Sequence, residues 1–139
     1  MIEFNFKTEF QLNNISELKD WLSRVISSEK YEQGDIDFIF CSDEELLNIN
    51  QEYLNHDTYT DIITFDYTSN KVISGDVFIS IDRVRENSNT FKTGFQNELL
   101  RVMSHGVLHL MGYKDKDEDD VKVMRAKEEE KIKMFHVEP

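Results

Sequence analysis

A single cysteine, Cys41, rules out an internal disulfide, so a core must hold the fold and a reducing, cytoplasmic compartment is expected. One proline and five glycines leave little room for a linker, and residues 1–139 read as one domain. No run approaches the roughly 18 apolar residues of a membrane span, and no contact with a membrane is expected. Met1–Phe6 alternates apolar and polar residues and lacks the basic-then-apolar layout of a signal peptide. Cations are scarce as well. Sixteen Lys and Arg against 28 Asp and Glu leave a net charge of −12, which disfavours nonspecific nucleic-acid binding because phosphate contacts need cations. The shortage is uneven: seven acids and no Lys or Arg lie between Asp43 and Asp66. From Arg83 to Arg101 four cations (Arg83, Arg85, Lys92, Arg101) face two acids (Glu86, Glu98). Taken alone, that second stretch is an ordinary solvated helix face.

What is present is enough apolar material for a core, 39% hydrophobic and 12% aromatic. The stretch His105–Asp115 holds the most chemistry. His105 and His109 are spaced to share one helix face, where both imidazoles can reach one metal ion. Gly112 suits the left-handed residue that ends a helix, after which the chain can turn Asp115 back as a third ligand. Three protein ligands leave a fourth position for water, the arrangement of a catalytic site. The competing reading is two histidines at helical spacing by chance.

Taken in order, residues 2–6 alternate as a strand. Asn14 or Ser16 can cap a helix with Leu18, Trp21, Leu22 and Val25 on its inner stripe. Gly34 opens a second strand with Ile36, Phe38 and Phe40 on one face. Ser42 and Glu45 form a capping box for a helix to about Leu54, burying Leu46, Ile49 or Asn50, and Tyr53. Ile62–Phe65 and Gly75–Ser80 read as an antiparallel hairpin across a turn at Ser69–Lys71. Ser80 or Asp82 caps the next helix, and Thr93–Gln96 is a second capping-box candidate for the histidine helix. A last helix runs from about Glu118 to Phe135, its early acids and late Lys131 and Lys133 matching the helix dipole. An α+β domain results, with a mixed four-stranded sheet and about five helices.

Four segments resemble one family in order and spacing over roughly residues 35–130, the YbeY-type rRNA maturation endoribonucleases. His105, Gly106, Leu108, His109, Leu110, Gly112 and Tyr113 match the family's H-G-x-L-H-L-x-G-Y-D-H. Thr60–Phe65 is similar to its T-D-V-L-S-F, and Gly75–Ser80 to its G-D-I-x-I-S. Tyr53 and Asp57 match its L-N-x-x-Y-R-x-K-D loop. The resemblance implies a fold distantly like zinc proteases, with a metal helix and one catalytic zinc ion. It also implies a metal-dependent endoribonuclease that acts on ribosomal RNA in the small ribosomal subunit, at the 3′ end, and in ribosome quality control.

The chain departs from that pattern. Asp115 stands where the family has its third histidine, and Lys114 where it has an aspartate. An aspartate oxygen remains a legitimate zinc ligand, but it lessens the acidification of a metal-bound water and makes another divalent ion, such as manganese, more plausible. Leu54 replaces the loop's arginine and His56 its lysine, and leucine cannot take over phosphate recognition. Gly106 occupies the position of the general-base glutamate in H-E-x-x-H proteases, which argues against peptidase chemistry. His56 is the candidate general base beside that water, since its pKa suits neutral pH; otherwise it is an exposed loop residue. Asp61 and Asp76 read as structural, with Asp61 able to orient a ligand histidine. Arg83, Arg85, Lys92 and Arg101 are the RNA-phosphate candidates. The alternative from another class is a ribosome-associated assembly factor with a mainly structural metal site.

Overall fold

A computed structural model describes residues 1–54 and 60–136. Nine elements follow in chain order: β1 (Ile2–Phe6), α1 (Ile15–Ser28), β2 (Glu32–Cys41), α2 (Asp43–Leu54), β3 (Ile62–Asp66), β4 (Val72–Ser80), α3 (Ile81–Phe91), α4 (Phe95–Leu110) and α5 (Glu118–His136). The sheet order is β1-β2-β4-β3, with β1, β2 and β4 parallel and β3 antiparallel to β4. This is the expected mixed α+β domain of four strands and five helices.

Strand alternation decides what lies on each face. Ile36, Phe38 and Phe40 of β2, with Ile73, Val77 and Ile79 of β4, turn to one side and meet α1 and α4, against which α5 packs in turn. Trp21, buried on α1, donates from Nε1 to the Lys131 carbonyl at 2.7 Å, so its one polar atom is satisfied inside the core. The opposite face keeps a smaller cluster of Cys41, Leu46 and Ile63 beneath α2.

Local chemistry explains most boundaries. At α2 the capping box forms in both directions: Glu45 N–H donates to Ser42 Oγ at 3.2 Å, and Ser42 N–H to Glu45 Oε1 at 3.0 Å. Ser80 Oγ accepts from Arg83 N–H at 3.1 Å and caps α3. Asp117 Oδ1 accepts from Asp120 N–H at 2.8 Å where α5 begins. Five expectations need correction. The Thr93 box does not form, because Gly94 takes the cap position with φ +85 and no side chain bonds there. Asn14 occupies the α1 cap without a side-chain bond. β4 begins at Val72 rather than Gly75, since the tight Ser69–Val72 turn lets Val72 and Ile73 pair with Glu32 and Gln33 of β2. Tyr53 is 64% exposed, because among the described residues the end of α2 has only the Phe65 ring to pack on. Lys131, expected to serve the dipole at the end of α5, falls short of the last turn and instead lies inside, 1% exposed, where Glu29, just past α1, supplies its counter-charge at 2.7 Å.

Candidate metal centre

The site begins with α4, a helix whose inner stripe of Leu99, Val102, Met103, Gly106 and Leu110 seats it on the sheet. Gly106 permits the closest approach: a Cβ there would stand 2.9 Å from Val77 Cγ1 and 3.0 Å from Ile62 Cδ1. With that stripe buried, His105 and His109 fall one turn apart at the cleft wall, ring centroids 4.5 Å from one another. Gly112, φ +96, ends the helix in a Schellman turn. Its N–H donates to the His109 carbonyl at 3.0 Å, and Tyr113 N–H to the Leu108 carbonyl at 3.0 Å.

The reversal brings Asp115 over the helix end. Asp115 Oδ2 lies 3.3 Å from His105 Nε2 and 3.4 Å from His109 Nε2. One ligand atom from each of the three residues falls within 4.8 Å of the others. The outer nitrogens are held: His105 Nδ1 meets Glu128 Oε2 at 2.6 Å, and His109 Nδ1 meets the Tyr113 carbonyl at 2.9 Å. With the Nδ1 proton donated to those acceptors, each Nε2 lone pair is free and aimed inward. Two imidazoles and a carboxylate fit a zinc-type donor set. Burial alone would pull the His105 pKa down, but the Glu128 hydrogen bond and the negative charges of Glu128, Asp115 and Asp61 outweigh it and leave it raised.

A cleft of about 590 Å³ opens in front of these ligands, walled by β3, α3, α4 and α5. Asp61 lines it, and burial pushes its carboxyl up while the nearby His105 pulls back. Its backbone carbonyl also accepts from Ser80 N–H at 3.0 Å, tying the start of β3 to the end of β4. Arg101 reaches Glu128 Oε1 at 3.0 Å and Glu98 Oε1 at 3.9 Å, so the carboxylate that orients His105 is itself anchored. Burial likewise raises the Glu98 carboxyl against the opposing charge of Arg101.

The cation candidates separate. Arg101 lines this cleft, with its charge engaged by two carboxylates. Arg83 is paired with Asp43 on α2 at 3.0 Å. Arg85 lies 5.9 Å over the Phe10 and Phe95 rings and, with Lys92, borders a different, open groove. His56 lies outside the described residues, and Leu54 is exposed at the end of α2. Asp76, on β4, accepts from the Tyr67 hydroxyl at 3.2 Å, away from the metal ligands. Reasoning from sequence missed Glu128 and Arg125, both in the cleft wall. The available signal was their helical spacing with Val121 and Met124, which places four α5 residues on one stripe.

The family model described as Endoribonuclease YbeY matches residues 2–136. A protein named Endoribonuclease YbeY from Flavobacterium johnsoniae is 57% identical over 138 residues, covering 99% of both chains. One of the same name from Flavobacterium psychrophilum is 54% identical over 137 residues, covering 99% of this chain and 98% of that one. A solution structure from Thermotoga maritima, 27% identical, superposes with a TM-score of 0.67 over 97% of this chain and 89% of the other. A fold, a donor cluster and relatives of more than half identity agree from end to end, and the chain belongs to the endoribonuclease YbeY family.

Proposed function

We propose that this protein is a metal-dependent endoribonuclease that matures ribosomal RNA in the cytoplasm, at the 3′ end of the small-subunit RNA, using one zinc ion held by His105, His109 and Asp115. The observation that carries the reading is the convergence of those three donors within 4.8 Å at an open cleft. The chain's relatives bear the endoribonuclease name. No helix among the described residues is long and apolar enough to cross a membrane.

The protein's own groups have definable tasks. Glu128 Oε2 and the Tyr113 carbonyl hold the two Nδ1 protons, which fixes both rings with Nε2 toward the cleft. Asp115, 43% exposed, contributes an oxygen donor from the solvent side while leaving the cleft open to a large substrate. A divalent ion bound there supplies Lewis-acid polarisation of a phosphoryl oxygen and acidifies water at neutral pH. Gly106 in place of a glutamate keeps peptidase-type proton transfer out of this reading.

Elemental analysis combined with cleavage of a small-subunit rRNA precursor tests the proposal. About one zinc per chain is expected, with cleavage that His109→Ala abolishes while thermal unfolding stays close to wild type. If metal-loaded wild-type protein leaves the precursor intact and His109→Ala unfolds as it loses metal, the site is structural and the assembly-factor reading takes its place.

A further inference from the structure

Among the described residues, two side chains in the cleft wall lack the partners that their kind has elsewhere in the molecule. Nine of the ten phenylalanines pack their rings against another aromatic ring; Phe91, the last residue of α3, has no such contact among the described residues. It is instead 66% exposed at the rim of the cleft that holds His105, His109 and Asp115. From α5, Arg125 lines the same cleft. Arg125 is on the stripe of Val121, Met124 and Glu128, so helix geometry and not chance directs it there.

The charge balance of the wall gives Arg125 its meaning. Asp61, Glu98, Asp115 and Glu128 all line the cleft, and a phosphodiester approaching them meets repulsion. Arg101 is held by Glu98 and Glu128. Among the described residues, Arg125 lines the cleft with no ion pair or hydrogen bond to occupy it. A guanidinium in that condition suits a phosphate oxygen pair. The exposed face of Phe91 suits an unpaired base, which stacks on an aromatic ring whatever its identity.

On the ribonuclease reading above, the geometry points to Phe91 as the stacking platform for a base beside the scissile phosphodiester and to Arg125 as the clamp on a flanking phosphate. Arg125 thereby supplies from α5 the cation that Leu54 cannot supply from the end of α2. The strand is thus gripped by stacking on α3 and by charge on α5, in the cleft that holds the metal ligands.

Fluorescence anisotropy with a labelled, unstructured oligoribonucleotide reads this grip without requiring cleavage. Zinc-loaded wild type is compared with Phe91→Ala, Phe91→Trp, Arg125→Gln and, as an exposed aromatic outside the cleft, Tyr67→Ala. Phe91→Ala is expected to weaken binding about tenfold, Phe91→Trp to restore it, and Tyr67→Ala to leave it unchanged. Arg125→Gln should reduce the slope of log affinity against log salt by about 0.7. Metal content and melting temperature should stay at wild-type values throughout. Unchanged binding in Phe91→Ala, a Trp variant as weak as Ala, or an unaltered salt slope in Arg125→Gln would each overturn the assignment of that residue. The two readings fail separately. A protein that binds with these sensitivities yet cuts no RNA loses only the ribonuclease reading. One that cuts RNA while both variants bind as wild type loses only the grip.

Discussion

At the scale of single residues, the two ligand histidines are oriented by unlike partners. His109 gives its Nδ1 proton to a neutral carbonyl, that of Tyr113, whereas His105 meets a carboxylate, Glu128, at 2.6 Å. A carboxylate acceptor makes its imidazole the more basic ligand, and Arg101 keeps that carboxylate in place. Glu128→Gln retains an oxygen that can accept the proton but removes the charge and loosens Arg101. The expected result is a metal affinity about 10- to 100-fold weaker, read by competition with a chromophoric chelator. An affinity within twofold of wild type would mean that Glu128 only fills space. This residue also marks where sequence reading stops. His105, His109, Gly112 and Asp115 were legible because spacing along one helix and one turn fixes their relation. Glu128 lies 23 residues beyond His105, and nothing in local periodicity says which α5 carboxylate packs back onto which ring.

At the scale of elements, the position of α4 on the sheet decides where the ligands project. The elements themselves were readable because each carries its own signal: the Ser42–Glu45 box, the alternation of β2, the β-branched hairpin. What was not readable were the consequences of neighbours. Tyr53 has the right helical spacing but, among the described residues, no second layer to enter, and Val72 joins β4 only because β2 is there to pair with it. Gly106 shows the same dependence in the opposite sense. A methyl group at that position would press on Val77 and Ile62, both fixed in the sheet, at about 3 Å. Overpacking of this kind costs roughly 1–3 kcal/mol, against about 1 kcal/mol gained by replacing a helical glycine with alanine. Gly106→Ala is therefore expected to lower stability by about 1 kcal/mol and to tilt His105, its neighbour, away from Asp115. Urea denaturation gives the first quantity and metal titration the second. A variant as stable as wild type with unchanged metal affinity would show that α4 can lift off the sheet freely.

Across the whole molecule, segments distant in sequence are joined behind the metal turn. Glu29, just past the end of α1, accepts from the Tyr113 hydroxyl at 2.6 Å, from Lys127 at 3.0 Å and from buried Lys131 at 2.7 Å. The Tyr31 hydroxyl adds a bond to the Met111 carbonyl at 3.0 Å. Two phenols and a carboxylate thus pin the turn whose Tyr113 carbonyl orients His109. Burial tends to raise the Glu29 carboxyl, but its bonds to Lys131, Tyr113 and Lys127 prevail and bring it from 4.5 to about 2. The native state therefore holds this proton less tightly than the unfolded chain. Its stabilisation is complete above pH about 4.5 and drains away as pH falls toward 2. Glu29→Gln should be less stable at pH 7 by about 3 kcal/mol, since Lys131 is left buried with, among the described residues, only Glu130 as a charged partner. Below pH 4.5 the gap should close, because protonation does to wild type what the substitution has already done. Thermal melts of both proteins from pH 7 to pH 2.5 provide the check. A gap that stays constant over the series would show that Glu29 acts through its shape and not its charge, leaving the turn to be held by Tyr31 and the glycine alone.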